Sequence, residues 1–379
     1  MPTEPNPVCR WLRAGDEIFP AMLAAIDAAS ESVCLEVYTF EDGALGQRFR
    51  AALVRARERG VRVRVLVDAI GSIMLSGHFW DSLQKAGGEA RVFNAIDLRR
   101  VTIRSHRKLL VCDERTAIVG GFNISPAYEG DGVKSGWCDV GLSIADPPLA
   151  KRLATSFDEM FERADFRHKR FMRWRKFGAK KIVTLPAEQI LFGGPGRGHS
   201  PFKHALRQDL ARARDVRIMM AYFLPTWRLR HALIRVARRG GRVQLILAGK
   251  SDVPLALLAA QSLYRRLLAA GVEIYEYQPQ ILHAKLIMVD DIVYTGSSNL
   301  DVRSLQINYE LMIRFRETGV VGGAREIFEE VQKHCRQITA EEWRRSRTLW
   351  RRLKHRWACF LLSRLDPYLA RRQWRALPK

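Results

Sequence analysis

The chain predicts an α/β protein built from two tandem α/β/α sandwich domains. Three observations carry this. Short runs rich in Val, Ile and Leu alternate with segments of helical spacing, the pattern of sheets covered by helices. That alternation passes through the chain twice in the same order. The pattern H-x-K-x-x-x-x-D also occurs twice without a gap, as His106-Arg-Lys108-Leu-Leu-Val-Cys-Asp113 and as His283-Ala-Lys285-Leu-Ile-Met-Val-Asp290. The two histidines stand 177 residues apart, from 106 to 283, which is the length of a duplicated domain and not of a solenoid repeat.

Taken in order, residues 1–10 carry three prolines and read as irregular. Residues 15–29 have helical spacing (Ile18, Met22, Ala25, Ile26), with Asp16 and Glu17 suited to a first turn. Residues 33–40 read as a buried strand and 44–59 as a basic amphipathic helix stopped by Gly60. A strand at 61–67, a short helix at 80–86 and a strand at 90–95 lead to the first motif. The second half repeats the order: helix 201–214, strand 216–223, helix 227–239, strand 242–248, helix 255–270, strand 272–277, then the second motif. In this register Tyr222 takes the place of Tyr38. The reading divides the chain into a first domain (1–164), a basic and Gly-rich linker (165–198), a second domain (199–338) and a basic amphipathic C-terminal helical segment (339–379).

Val and Ile enrichment puts both motifs on strands. Side chains alternate along a strand, so His106 and Lys108 share a face, as do His283 and Lys285, about 6 to 7 Å apart. An imidazole beside an ammonium suits a phosphate. Asp113 and Asp290 fall at the other parity and are each followed by an acid (Glu114, Asp291), so they read either as catalytic members of the motif or as turn formers and ion-pair partners. Downstream lie Gly120-Gly121-Phe122-Asn123-Ile124-Ser125 in one half and Gly296-Ser297-Ser298-Asn299-Leu300-Asp301 in the other. An acid then opens an apolar strand, Asp139 in the first half and Glu310 in the second.

This duplicated pattern resembles the phospholipase D superfamily. The run Gly296-Ser-Ser-Asn-Leu-Asp-Val-Arg303-Ser304 with Asn308-Tyr309-Glu310 is most similar to its bacterial cardiolipin synthase branch. The resemblance covers residues 15–335. It implies that the halves pack about a pseudo-twofold axis and share one active site. It also implies a two-step displacement at a phosphodiester with no metal or cofactor. His106 becomes covalently bound to the phosphatidyl group, and His283 acts first as acid and then as base; the near-symmetry leaves these two roles open to exchange. Histidine is accessible in both protonation states near neutral pH and is an established nucleophile. Lys108, Lys285, Asn123, Ser125 and Asn299 would hold phosphate oxygens, and Asp139 and Glu310 would fix the imidazole tautomers. The implied reaction makes cardiolipin from phosphatidylglycerol or a related lipid alcohol.

A net charge of +23 over 379 residues calls for an acidic partner, either nucleic acid or an anionic membrane surface. Most of the charge lies in two segments: +7 in residues 165–181, among Phe166, Phe171, Trp174 and Phe177, and +9 in residues 341–379. In the latter, Trp350, Leu353, Trp357, Phe360 and Leu361 form an apolar stripe flanked by Arg351, Arg352, Lys354 and Arg356, which suits a lipid headgroup layer. The alternative is a helix packed on its own domain. Residues 165–181 read equally as linker or contact. Gly193-Gly-Pro-Gly-Arg-Gly198 lacks the Gly-Lys-Ser/Thr end of a phosphate loop, and reads as linker or substrate contact. The six cysteines are scattered, without zinc spacing, and fit a reducing compartment. With no signal peptide and no membrane-spanning run, the expected location is peripheral, on the cytoplasmic side of the cell membrane. Rival readings are a lipid-hydrolysing phospholipase D, a phosphodiesterase acting on nucleic acid, and a non-enzymatic membrane scaffold.

Overall fold

The computed structural model describes residues 8–95, 102–164, 180–195, 198–345, 348–365 and 368. The strands of the first half are β1 (Cys9–Arg13), β2 (Ser32–Val37), β3 (Arg62–Asp68), β4 (Glu89–Phe93), β5 (Leu109–Cys112), β6 (Thr116–Gly120) and β7 (Val140–Ile144). They form one sheet in the order β1-β7-β6-β5-β2-β3-β4. The second sheet takes β8 (Lys181–Thr184), β9 (Glu188–Gly193), β10 (Asp215–Met220), β11 (Arg242–Ala248), β12 (Glu273–Tyr277), β13 (Lys285–Val289), β14 (Ile292–Gly296), β15 (Glu310–Phe315) and β16 (Cys335–Ile338). Its order is β16-β12-β11-β10-β13-β14-β15-β9-β8. The run β7-β6-β5-β2-β3-β4 of one sheet is therefore repeated as β15-β14-β13-β10-β11-β12 in the other.

Helices cover both faces, as the alternation of elements requires. In the first half α1 (Ala14–Ala28) and α2 (Ala44–Glu58) bury Ile18, Met22, Phe49 and Leu53 against the outer face; α3 (Asp81–Lys85) is short, and α4 (Pro147–Glu162) covers the inner face. In the second half α5 (Pro201–Leu210), α6 (Trp227–Arg238), α7 (Pro254–Gln261) and α8 (Tyr264–Leu268) take the outer face. Then come α9 (Val302–Gln306), α10 (Thr318–Lys333) on the inner face, α11 (Ala340–Arg345) and α12 (Leu349–Phe360). The halves meet through shared apolar layers: Leu109, Val119 and Phe157 pack with Phe192, Tyr309 and Leu311, and Cys138 and Val140 pack with Met219, Leu286 and Phe328.

Several expectations need correction. Residues 165–198 are not all linker, because β8 and β9 close the edge of the second sheet, with β9 pairing antiparallel to β15. Their short, mixed sequences sit between basic and glycine-rich stretches and give little periodic signal. Residues 165–179, with Phe166, Phe171, Trp174 and Phe177, lie outside the described residues, as do Gly196 and Arg197. Cys9 and Arg10 are in strand β1 and pair with β7. The helix expected at 255–270 is broken into α7 and α8, where the Ser262 hydroxyl donates to the Ala259 carbonyl in competition with the backbone. Tyr222 does not stand in the place of Tyr38. Asn123 Oδ1 accepts from Thr39 N–H and Asn299 Oδ1 accepts from Tyr222 N–H, so Tyr222 corresponds to Thr39.

Candidate active site

Each motif histidine lies in an extended stretch just ahead of a central strand, outside β5 and β13 themselves. What holds these stretches is the other half of the molecule. Ser105 forms a lone parallel bridge with Tyr309, and Cys138 forms one with Leu282. His106 N–H donates to the Tyr309 carbonyl at 2.9 Å, and His283 N–H donates to the Cys138 carbonyl at 2.7 Å. The next residue after each carbonyl is the acid. The carboxylates therefore cross over: Glu310 Oε2 lies 3.2 Å from His106 Nδ1, and Asp139 Oδ2 lies 2.8 Å from His283 Nδ1. His106 Nδ1 also faces the Ser297 carbonyl at 3.1 Å. Facing only acceptors, it carries its proton there and turns Nε2 free of a proton. Gly121 permits the crossing, since a Cβ there would stand 2.6 Å from Asp139 Oδ1 and 3.0 Å from Lys285 Cδ.

Lys108 and Lys285 are buried beside the histidines. Lys108 Nζ donates to the His106 carbonyl at 2.9 Å and sits 5.2 Å from the Tyr38 ring centre. Lys285 Nζ lies against the His283 ring, 2.8 Å from Nδ1. Burial, then the neighbouring Lys285, bring Lys108 down to about 7; burial brings Lys285 down to about 8, with Asp139 and Glu310 acting to hold it up. Both imidazoles are held below their usual value, first by burial and then by the adjacent lysine. Burial works to raise Asp139, but Lys285 and the bond from His283 leave it below the usual carboxylate value. The groups thus stand as neutral imidazoles, ionised Asp139 and two ammoniums that lose their protons easily. An anion placed between them would restore their charge.

Both histidines open onto one cavity of about 530 Å³, which Tyr38, Tyr128, Trp137, Tyr222, Asn123, Ser125 and Asn299 also line. The surroundings of the two rings differ. Tyr128, Trp137 and Tyr222 enclose His283, with ring centres at 5.2, 5.4 and 6.3 Å. Among the described residues His106 meets one ring, Tyr38 at 5.1 Å, and its side chain is the more exposed of the two, 13% against 5%.

Residues 22–161 and 206–332 match the family described as "Cardiolipin synthase, PLD-like domain". The chain belongs to that family. Over 309 residues it is 34% identical to cardiolipin synthase B of Salmonella typhi, covering 79% of this chain and 74% of that one. It is 31% identical over 349 residues to cardiolipin synthase 1 of Bacillus cereus, covering 89% and 69%. Among solved structures it is similar to phosphatidylserine synthase of Haemophilus influenzae, with TM-score 0.72 at 15% identity over 96% of this chain and 95% of that one. This chain is a phosphatidyltransferase of the cardiolipin synthase type, within the phospholipase D superfamily.

The family motif does not gather all its members at the cavity. Asp113 and Asp290 sit in the hairpin turns at the far ends of β5 and β13, both with left-handed φ (+56° and +51°), which aspartate tolerates. Asp113 accepts from the backbone N–H groups of Ser30, Glu31 and Ser32 at 2.7 to 2.9 Å. Asp290 accepts from those of Arg214 and Asp215, both at 2.9 Å. Each carboxylate thus anchors the start of the neighbouring strand, the turn role that the sequence left open. Ser125 caps the turn at Pro126–Tyr128, and Asp301 caps α9 in the matching position.

Sequence reasoning missed four groups. The Tyr128 hydroxyl accepts from Asn123 Nδ2 at 2.8 Å and lies 3.2 Å from His283 Nδ1. Trp137 packs on both of those rings. Ser297 donates its hydroxyl to Glu310 Oε2 at 2.5 Å. Arg104, also at the cavity, is buried against Asp68 at 3.2 Å. Only Ser297 had a signal, its place in the Gly-Ser-Ser-Asn run; the others lie in loops without periodicity. In the C-terminal segment Trp350 and Trp357 are exposed on α12, while the side chains of Arg351 and Arg352 lie outside the described residues. No helix among the described residues is long and apolar enough to cross a membrane.

Proposed function

We propose that the chain makes cardiolipin and glycerol from two molecules of phosphatidylglycerol through a phosphatidyl-His106 intermediate. The observation that carries this reading is the crossed pair of His–carboxylate contacts at a single cavity, with one buried lysine beside each imidazole.

In the first step His106 Nε2 attacks phosphorus. A P–N bond forms, the P–O bond to glycerol breaks, and His283 gives its proton to the leaving alkoxide. In the second step the terminal hydroxyl of another phosphatidylglycerol attacks, His283 takes its proton, and the P–N bond breaks. Lys108 and Lys285 neutralise the phosphoryl oxygens throughout, with Asn123 and Asn299 as further polar groups at the wall. The negative charge of the bound phosphodiester raises the depressed pKa of His283, which makes it an acid in the first step. The assignment of His106 as nucleophile is supported by its more open surroundings, and that of His283 as proton carrier by its aromatic enclosure. The same enclosure disfavours water as the acceptor. An anionic membrane surface is the proposed partner, met by the exposed apolar side of α12.

The test is incubation with phosphatidylglycerol vesicles, following cardiolipin and free glycerol by mass spectrometry beside His106→Ala and His283→Ala. Equal amounts of both products, lost in both variants, are expected. Phosphatidic acid without cardiolipin would move the activity to hydrolysis, and no lipid turnover would overturn the reading.

A further inference from the structure

Large apolar side chains on a soluble surface are ordinarily scattered. Here a group of them stands beside elements that line the cavity. On α12 the side chains of Leu349, Trp350, Leu353, Trp357 and Phe360 are 57 to 75% exposed, while His355 and Ala358 on the opposite side are buried. That buried side packs on α7. Ala256 of α7, Val253 just before it and Leu362 just after α12 all line the cavity. The apolar ridge of α12 therefore stands beside the opening and points away from the protein.

The first half brings its own apolar tip to the same opening. After β3 the chain is pinned under Tyr38: the Ser72 hydroxyl donates to the Tyr38 carbonyl at 3.2 Å, and a Cβ on Gly71 would fall 2.1 Å from that oxygen. The next two residues, Ile73 and Met74, are 60% and 81% exposed. Strand register makes this the counterpart of the second-half loop. Val37 pairs with Val67 and Met220 with Leu247, and Ile73 and Val253 each stand six residues beyond the latter partner. Trp227, at the start of α6 and shortly after the cavity residues Phe223 and Leu224, is 63% exposed. Ile73–Met74, Val253 and Trp227 follow the C-terminal ends of the parallel strands β3, β11 and β10, the edge at which the cavity opens. Basic side chains stand among these points: Lys354 and Arg356 are exposed on α12, and the charges of Arg228 and Arg207 reach Lys203 near Trp227, while the acids Glu41, Asp252 and Asp301 lie in the cavity lining.

We propose that the α12 ridge, the Ile73–Met74 tip and Trp227 form one seat on an anionic bilayer that presses the cavity mouth against the lipid. Headgroups reach the histidines while their acyl chains remain in the bilayer. The inference rests on the reading of the site as a lipid phosphatidyltransferase, and its test separates the two.

The variants are I73D/M74D and W350A/W357A. Each is compared with the wild type in sedimentation with vesicles of phosphatidylglycerol and phosphatidylcholine, in turnover of those vesicles, and in turnover of dihexanoyl phosphatidylglycerol dissolved as monomer. Both variants are expected to lose vesicle binding and vesicle turnover about tenfold or more, and to keep monomer turnover within about twofold. Brominated acyl chains should quench the wild-type tryptophan fluorescence. Full vesicle binding and turnover by I73D/M74D, or binding without quenching, would overturn the seat. So would a smaller assembly in gel filtration with unchanged vesicle binding, which would make the ridge an interface between copies. Wild type that binds vesicles through these residues but turns over neither lipid would leave the seat standing and remove the catalytic reading.

Discussion

Glu310 Oε2 lies 3.2 Å from His106 Nδ1, although 204 residues separate the two along the chain. Each imidazole takes its carboxylate from the opposite half, because the half that carries the acid also grips the backbone N–H of the histidine. The duplicated fold thus builds one catalytic unit and not two.

Glu310→Gln keeps the shape of the side chain but removes the charge behind His106. We expect kcat to fall on the order of 10²–10⁴-fold, the range for a lost orienting or proton-transfer group, with KM changed only a few-fold. Asp139→Asn should cause a comparable loss through His283. Initial rates on phosphatidylglycerol micelles, with a thermal melt to show that the fold survives, check both.

The pH profile follows from the buried pairs. His106 must be free of its Nε2 proton to attack, and it sits below 6.5, so the acid limb of kcat/KM falls below pH 6.5; His283 must instead gain a proton, against its own lowered value, once the phosphodiester is bound. Lys108 and Lys285 must be protonated to receive phosphate, so the alkaline limb lies between about 7 and about 8. In the profile of kcat alone that limb moves upward, because bound phosphate holds the ammoniums charged. Coincident alkaline limbs in the two profiles would contradict the assignment.

Asp113→Asn should damage the fold and spare the chemistry. The wild-type carboxylate sits below the usual aspartate value; burial works to raise it, and the backbone bonds from Ser32, Ser30 and Glu31 outweigh that. Its contribution is therefore in place above pH 3.8 and is lost as pH falls through the lowered value. Urea unfolding at pH 7 should show a loss of about 1–2 kcal/mol, and kcat should stay within about twofold. A collapse of kcat with full stability would return Asp113 to the chemistry.

Tyr128→Phe removes the hydroxyl shared by Asn123 and His283 and keeps the ring. Loss of one such bond corresponds to about a tenfold fall in kcat. The limb of the kcat profile set by the protonation of His283 should shift as well, which a packing role for the ring alone would leave unmoved.

Much of this was legible in the sequence. His106, Lys108, His283 and Lys285 were readable because their spacing repeats, and the alternating elements were readable because periodicity reports which face is buried. The crossing was not, since nothing local tells Asp139 to meet His283 and leave His106 to Glu310. Strands β8 and β9 were hidden because an edge strand with mixed exposure carries little alternation. The stripe on α12 was visible, but its outward direction was not: small residues such as Ala358 make the packed face, and the large apolar side chains face out. The Asp residues of the two motifs show the opposite hazard, since a fixed spacing drew them toward the site while the hairpin carries them to its far end.

The crossover of carboxylates also bears on how the enzyme comes into being. A ribosome that has delivered the first half has released His106 without Glu310, and Asp139 without His283. No lipid can be attacked productively until the last strand of the repeat, β15, has emerged and docked. Synthesis order alone keeps the site incomplete until the second half has folded onto the first.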